Sequence, residues 1–375
     1  MSIPARIAIF VCALCLGSCG SSRPPIPPLP QLPREALRAP LWQRGLGGAD
    51  VPLALQPAYV EGALYAASAG GDVVRLDPAT GGEVWRVALR TPISGAIGAR
   101  ADRVAVGTAS GEVVLLASDG KILWRVRVSS EVTSPPLVRE DLVIARSADG
   151  RIAGLDAKSG ERRWLFERTP PALVVRGYSG FTTQGPALFT GLAGGRLVAI
   201  AAATGAPLWE ASVSVPKGTT EIERMTDVIG APWSSSNQVC AASYQGRVAC
   251  FDRATGNALW AKDISSASGL TGDPRYLYVS DDKGAVLALD ASTGTTAWRD
   301  DRLVGRALSA PLIDGTELVV GDMQGYVHFL DAQSGALLAR GSTGDPIDVP
   351  AIAIPSGVLV QNRDGTLAAF ALSPR

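Results

Sequence analysis

The chain has very little histidine and no long run of one charge. A single His among 375 residues leaves no second imidazole for a His-based metal site or a His-centred relay. No Ser/His/Asp set can be assembled, so no catalytic residue is assigned. Lys+Arg and Asp+Glu are equal at 35 each. That balance argues against a nucleic-acid groove or a polybasic membrane patch. Only five cysteines occur, with neither an adjacent pair nor a C-x-x-C-H haem site. The longest apolar run at the N-terminus, Ile7 to Leu16, is too short to cross a bilayer.

That run instead follows Arg6 and ends in Leu16-Gly17-Ser18-Cys19. A basic residue, a short apolar stretch and small residues before a cysteine make a lipoprotein signal, assigned to residues 1–18. Cys19 is the expected lipidation site, which would attach the chain to a membrane through a lipid anchor. Residue 20 is Gly. An Asp there would retain a Gram-negative lipoprotein at the inner membrane, so the outer membrane, periplasmic side, is the expected destination. Seven of the next twenty residues, 21–40, are proline. Proline fixes φ and cannot donate a backbone hydrogen bond, so residues 19–40 read as an extended tether. A proline-rich ligand for a partner groove is the alternative.

Beyond residue 40 the chain repeats itself. L-D-P-A-T-G-G-E-V-W (76–85) returns as L-D-A-K-S-G-E-R-R-W (155–164), F-D-R-A-T-G-N-A-L-W (251–260) and L-D-A-S-T-G-T-T-A-W (289–298). Leading glycines stand at 71, 111, 150, 195, 246, 284, 325 and 365, spaced by 40, 39, 45, 51, 38, 41 and 40. A period near 40 with short apolar strands predicts an all-β, eight-bladed β-propeller over residues 41–375. Segments such as 73–76 and 286–289 would be inner strands. The Asp would bond local amides, the Gly would take φ > 0, and Trp85, Trp124, Trp164, Trp209, Trp260 and Trp298 would pack between blades from the outermost strand. Ala339 breaks the Trp series, and the eighth unit ends before its outer strand. Pro40-Leu41-Trp42-Gln43 is expected to supply that strand by pairing with 365–371, closing the ring.

His328 is expected to be a strand residue with a local hydrogen bond. Gly45 to Asp50 loosely resembles a phosphate loop but precedes no helical pattern. Cys240 and Cys250 fall on consecutive strands and nearly face one another. The compartment permits a disulfide, but cross-strand disulfides are strained, so two free core thiols are expected.

The two long spacings are adjacent. Their extra residues follow Trp164 and Trp209, in connections that leave the same face of a propeller. F-E-R-T-P-P-A-L-V-V-R-G-Y-S-G-F (166–181) and V-P-K-G-T-T-E-I-E-R-M-T-D-V-I-G (215–230) should therefore lie side by side. They offer Leu173, Val175, Ile222 and Met225 beside Arg176, Glu221, Glu223, Arg224 and Asp227. Apolar anchors within a charged rim suit a protein partner.

L-V-V-R-G (173–177) and T-E-I-E-R-M-T-D-V (220–228) resemble the two partner loops of the BamB family, lipoprotein subunits of the outer-membrane β-barrel assembly machinery. The signal, Cys19, tether and Trp blades extend the resemblance over essentially the whole chain. It implies a non-catalytic scaffold without a cofactor, whose loops dock onto a periplasmic POTRA domain of the barrel-forming subunit. It also implies a role in the assembly of unfolded barrel precursors, which exposed blade edges could bind by β-augmentation. Leu173, Val175, Arg176 and Asp227 would then be contacts, with Glu221 and Arg224 beside them. The chain departs from the family at Ile229, where a second acidic residue is usual. Quinoprotein dehydrogenases share the blade repeat, and a general cell-envelope adhesion scaffold would also suit the tether. The former need calcium ligands, often a vicinal disulfide, and long insertions.

Overall fold

The computed structural model describes residues 26–48, 55–175 and 179–373. The signal segment, Cys19, Arg176 and part of the 45–50 glycine stretch lie outside them. The described residues form eight four-stranded antiparallel sheets. Seven are sequential hairpin meanders, spanning 58–88, 93–127, 137–166, 181–212, 228–262, 270–300 and 312–342. The eighth joins strands Ile352–Ile354, Gly357–Gln361 and Thr366–Phe370 to the N-terminal strand Trp42–Gly45. Trp42 faces Ala369 and Gly45 faces Thr366, which is the expected closure of the ring. The N-terminal strand covers the edge of Thr366–Phe370 and brings the eighth blade to four strands like the others.

The core is distributed around the ring. Eight apolar clusters occur, one at each blade–blade interface. A middle strand such as Leu142–Arg146 or Glu112–Ala117 is therefore covered on both faces and reads as a nearly continuous apolar run. Only the outermost strands alternate, as Glu83–Ala88 does. The expectation of inner strands is met here. Residues 73–76 and 286–289 lie in the third strand of their blades, interior but not innermost. The innermost position is held by the first strand of each meander, and by Ile352–Ile354 in the eighth blade.

Local chemistry explains the turn. Asp77 Oδ1 accepts the amides of Ala79 at 3.0 Å and Thr80 at 2.9 Å, and Thr80 Oγ1 accepts the Gly82 amide at 3.1 Å. These bonds hold the Asp77 carboxyl below its usual range, the Thr80 hydroxyl and amide contributing most. Gly81 has φ 69°, and a Cβ there would come within 2.4 Å of the Trp42 ring. The turn glycine thus serves two needs, a left-handed backbone and a flat seat for the indole of the preceding blade.

Each such indole also donates a hydrogen bond to the blade it sits on. The acceptors are carbonyls of Pro78 for Trp42, Ser118 for Trp85, Ala157 for Trp124 and Ala202 for Trp164. Arg253, Ala291 and Ala332 serve Trp209, Trp260 and Trp298 in the same way. Seven of the eight interfaces carry this lock.

The eighth, where Ala339 replaces Trp, is closed from the N-terminus. Arg38 lies with its guanidinium 4.1 Å from the Phe329 ring centre. It donates to both oxygens of Glu317 (2.8 and 2.9 Å), to the Ala371 carbonyl (2.9 Å) and to Ser373 Oγ (2.9 Å). A planar, bidentate cation stands where the other interfaces use an indole.

Two expectations are corrected. Cys240 and Cys250 form a disulfide, with Cα atoms 4.1 Å apart. They oppose one another in register on adjacent strands, which brings their Cβ atoms together without backbone movement. The 19–40 tether is not extended and free along its whole length. Residues 27–38 run along the seventh blade and the connection before it, where Arg34–Ala36 form a 3₁₀ turn and Leu37 bridges Arg340 in parallel.

Candidate functional site

The two long connections flank the fourth blade. The first, 167–180, joins the third blade to the fourth, and the second, 213–227, joins the fourth to the fifth. They meet at Asp227. Its Oδ2 accepts the Val175 amide at 2.6 Å and its Oδ1 accepts the Gly194 amide at 2.9 Å. One carboxylate thus ties the end of the second loop to the first loop and to the hairpin of the blade between them. The Asp227 carbonyl also accepts the Tyr244 amide at 2.9 Å.

The second loop has its own internal brace. Thr220 and Glu223 form a reciprocal capping box: Thr220 Oγ1 accepts the Glu223 amide (3.2 Å) and Glu223 Oε2 accepts the Thr220 amide (3.1 Å). Glu223 also takes the Thr219 amide at 2.8 Å. The threonine amides hold its carboxyl below the ordinary value. A single helical turn follows, with the Arg224 amide bonded to the Thr220 carbonyl. That turn presents Glu221, Ile222 and Arg224 to solvent.

The base of the first loop is pinned by charge. Arg168 and Arg196 both bond Glu210, the latter at 2.8 Å between Nε and Oε1. Burial would raise the Glu210 carboxyl, but the two guanidiniums outweigh it and hold it low. Beneath the loop lies a cavity of about 540 Å³ lined by Arg146, Val174, Val175, Leu192 and Asp227, among others. Arg146 donates to the Gly191 carbonyl there. Burial brings its guanidinium down to about 10, against the opposing pull of the Asp227 charge.

The sequence-level candidates therefore separate. Leu173 is 42% exposed and Ile222 64%, and Glu221 and Arg224 are exposed. Val174 (42%) and Val215 (66%) join this apolar surface and were not singled out by pattern. Val175 is half-buried, with its amide committed to Asp227. Asp227 is only 4% exposed, which corrects its expected place as a surface contact. A carboxylate taking two backbone amides inside the fold positions the loops and is not free to meet a partner. Arg176 lies outside the described residues. Ile229, at the position of the departure from the family pattern, is buried. Arg146, Arg168, Arg196 and Glu210 were missed. They sit at unremarkable points of the repeat, and nothing local marks them as supports.

His328 is buried, its Nε2 2.9 Å from Asp322 Oδ2. Among the described residues, no three His, Cys, Asp or Glu side chains group to hold a metal ion.

The fold and these loops define a class: an eight-bladed propeller with indole locks between blades and one enlarged, internally braced loop platform. The profile of the family described as outer membrane protein assembly factor BamB matches residues 69–300. A protein of that name from Nitrosomonas eutropha is 42% identical over 335 residues, covering 89% of this chain and 82% of its own length. Another, from Bordetella pertussis, is 39% identical over 328 residues, covering 87% and 85%. The crystal structure of BamB from Moraxella catarrhalis superposes with a TM-score of 0.80 at 29% identity, covering 88% of this chain and all of that one. The chain belongs to the BamB family of outer-membrane protein assembly factors. Membership places it among assembly factors and not among enzymes.

Proposed function

We propose that the chain is a scaffold lipoprotein of the outer-membrane β-barrel assembly machinery, anchored through Cys19 and facing the periplasm. The loop platform would bind a POTRA domain of the barrel-forming subunit and so aid insertion of barrel precursors. One observation carries this reading: apolar Leu173, Val174 and Ile222 are exposed on loops that are internally braced. Exposed apolar groups on an ordered backbone lose little conformational entropy on binding and gain by leaving water. Leu173 would be the central anchor, with Val175 beside it. Arg176, Glu221 and Arg224 would form the charged rim, and Asp227 would set the geometry.

The test is a pull-down from detergent-solubilised outer membrane, comparing the wild type with Leu173→Ala/Arg176→Ala. Recovery of a POTRA-containing barrel protein by the wild type alone supports the reading. Equal recovery by both would move the docking surface elsewhere on the propeller. Recovery by neither would defeat the scaffold role.

A further inference from the structure

The proline-rich segment is engaged by the seventh blade. Two carbonyls three residues apart make the contact. Arg306 Nη2 donates to the Pro27 carbonyl at 2.8 Å, and Arg340 Nη2 donates to the Pro30 carbonyl at 3.0 Å. A polyproline II helix repeats every three residues, so carbonyls spaced in this way project from one face. Pro33, three further on, has φ −54° and ψ 151°, within that conformation.

Both receiving arginines are buried, Arg340 on the blade's outermost strand Leu337–Ser342 and Arg306 in the connection that enters the blade. Arg306 is 2% exposed and Arg340 7%. Arg306 is also held by Asp322 Oδ2 at 3.1 Å. His328 bridges the pair: Nε2 meets the same Asp322 oxygen, and Nδ1 lies 3.5 Å from Arg340 Nε. Arg306 meets the Asp322 carboxylate directly, and Arg340 is linked to it through the His328 ring. Arg306 Nη1 also donates to Gln324 Oε1, which leaves Nη2 of each guanidinium for a prolyl carbonyl. Downstream, the Arg38 amide bonds the Arg340 carbonyl at 2.8 Å, and its side chain closes the interface between the seventh and eighth blades.

We infer that the outer side of the seventh blade is a polyproline docking site, occupied by residues 26–33 of the same chain. The site reads backbone carbonyls displayed at the three-residue period. Its consequence rests on the proposed lipidation of Cys19. At ~3.1 Å per residue, the 22 steps from Cys19 to Leu41 would reach about 68 Å if free, whereas the seven from Cys19 to Ile26 reach about 22 Å. Docking therefore holds the rim of the seventh blade close to the bilayer. Pro27 docks beside the connection 301–311, which leaves the same face as the loop platform, and blade seven stands opposite blade three in the ring.

The test labels Gln31→Cys and Gln333→Cys with nitroxides in the full chain, with Cys12, Cys15 and Cys19 replaced by Ser. Pulsed electron–electron spectroscopy should give a single narrow distance. Arg340→Met should broaden it, as should Pro27→Gly/Pro30→Gly, which leaves the blade itself untouched. A broad distribution in the parent overturns the docking site, as does a distribution that stays narrow in both variants. Because this chain has no lipid, the result is independent of the anchor. A separate measurement on the acylated protein would use energy transfer from Gln333→Cys to headgroup-labelled vesicles. Transfer that falls severalfold in the Pro27→Gly/Pro30→Gly variant supports the short reach. Unchanged transfer overturns it, and failure to bind vesicles at all would refute the anchor while leaving the docking result standing.

Discussion

The Asp227 carboxylate accepts the amide of Val175 across 52 residues of sequence, at 2.6 Å. This bond joins two loops that belong to different blade junctions. It makes one surface of them, and it assigns the buried acid a different task from the exposed residues around it.

Asp227→Ala is expected to weaken binding of the POTRA-containing subunit although the side chain touches no partner. The half-buried Val175 and Gly194 amides would each lose a charged acceptor, costing about 1.5–3 kcal/mol of local stability per bond. Calorimetric titration should show at least a tenfold loss of affinity, with faster hydrogen exchange at Val175 and Gly194. Unchanged exchange at both would dismiss the brace.

Leu173→Ala should cost about 2 kcal/mol of binding with little effect on thermal stability, since the side chain is 42% exposed in the free protein. Ile222→Ala should act in the same direction. A large fall in melting temperature with binding retained would assign both residues to packing instead.

Arg38→Ala should destabilise the propeller by about 3–5 kcal/mol, because Glu317 is buried and would lose its bidentate partner. The pH dependence has a definite sign. Burial pushes the Glu317 carboxyl up, but Arg38 and Ser373 outweigh it and hold its folded pKa below the ordinary 4.5. A depressed carboxyl contributes stability above about pH 4.5, and that contribution fades as pH falls through the folded value. Denaturant melts from pH 7 to pH 3 should show this acid-side loss in the wild type and a much smaller one in Arg38→Ala.

Peptide mass spectrometry without reductant should find Cys240 and Cys250 in one linked peptide. Cys240→Ser/Cys250→Ser should lower stability by about 2–3 kcal/mol, the range for closing a loop of ten residues. Free thiols at both positions in protein purified without reductant would contradict the pairing.

Much of the propeller was legible in the sequence because its signals are local. The glycine period counts the blades. Asp77, Thr80 and Gly81 make their turn from neighbours a few residues away, and the indoles follow at a fixed distance. The adjacency of the two long connections also followed, since every blade junction leaves the same face. The strand at Trp42 could be inferred from what the eighth unit lacks.

The tertiary structure decided what depends on which distant groups meet. Strand register placed Cys240 against Cys250 and made a disulfide where spacing alone left two readings. Burial turned Asp227 from a contact into a brace, because two amides from other segments converge on it. The missing eighth indole was replaced by Arg38, 301 residues away from Ala339 in sequence but adjacent once the ring closes. Proline content specified an extended segment. Only the paired guanidiniums of Arg306 and Arg340, brought together by blade seven, determined where it lies.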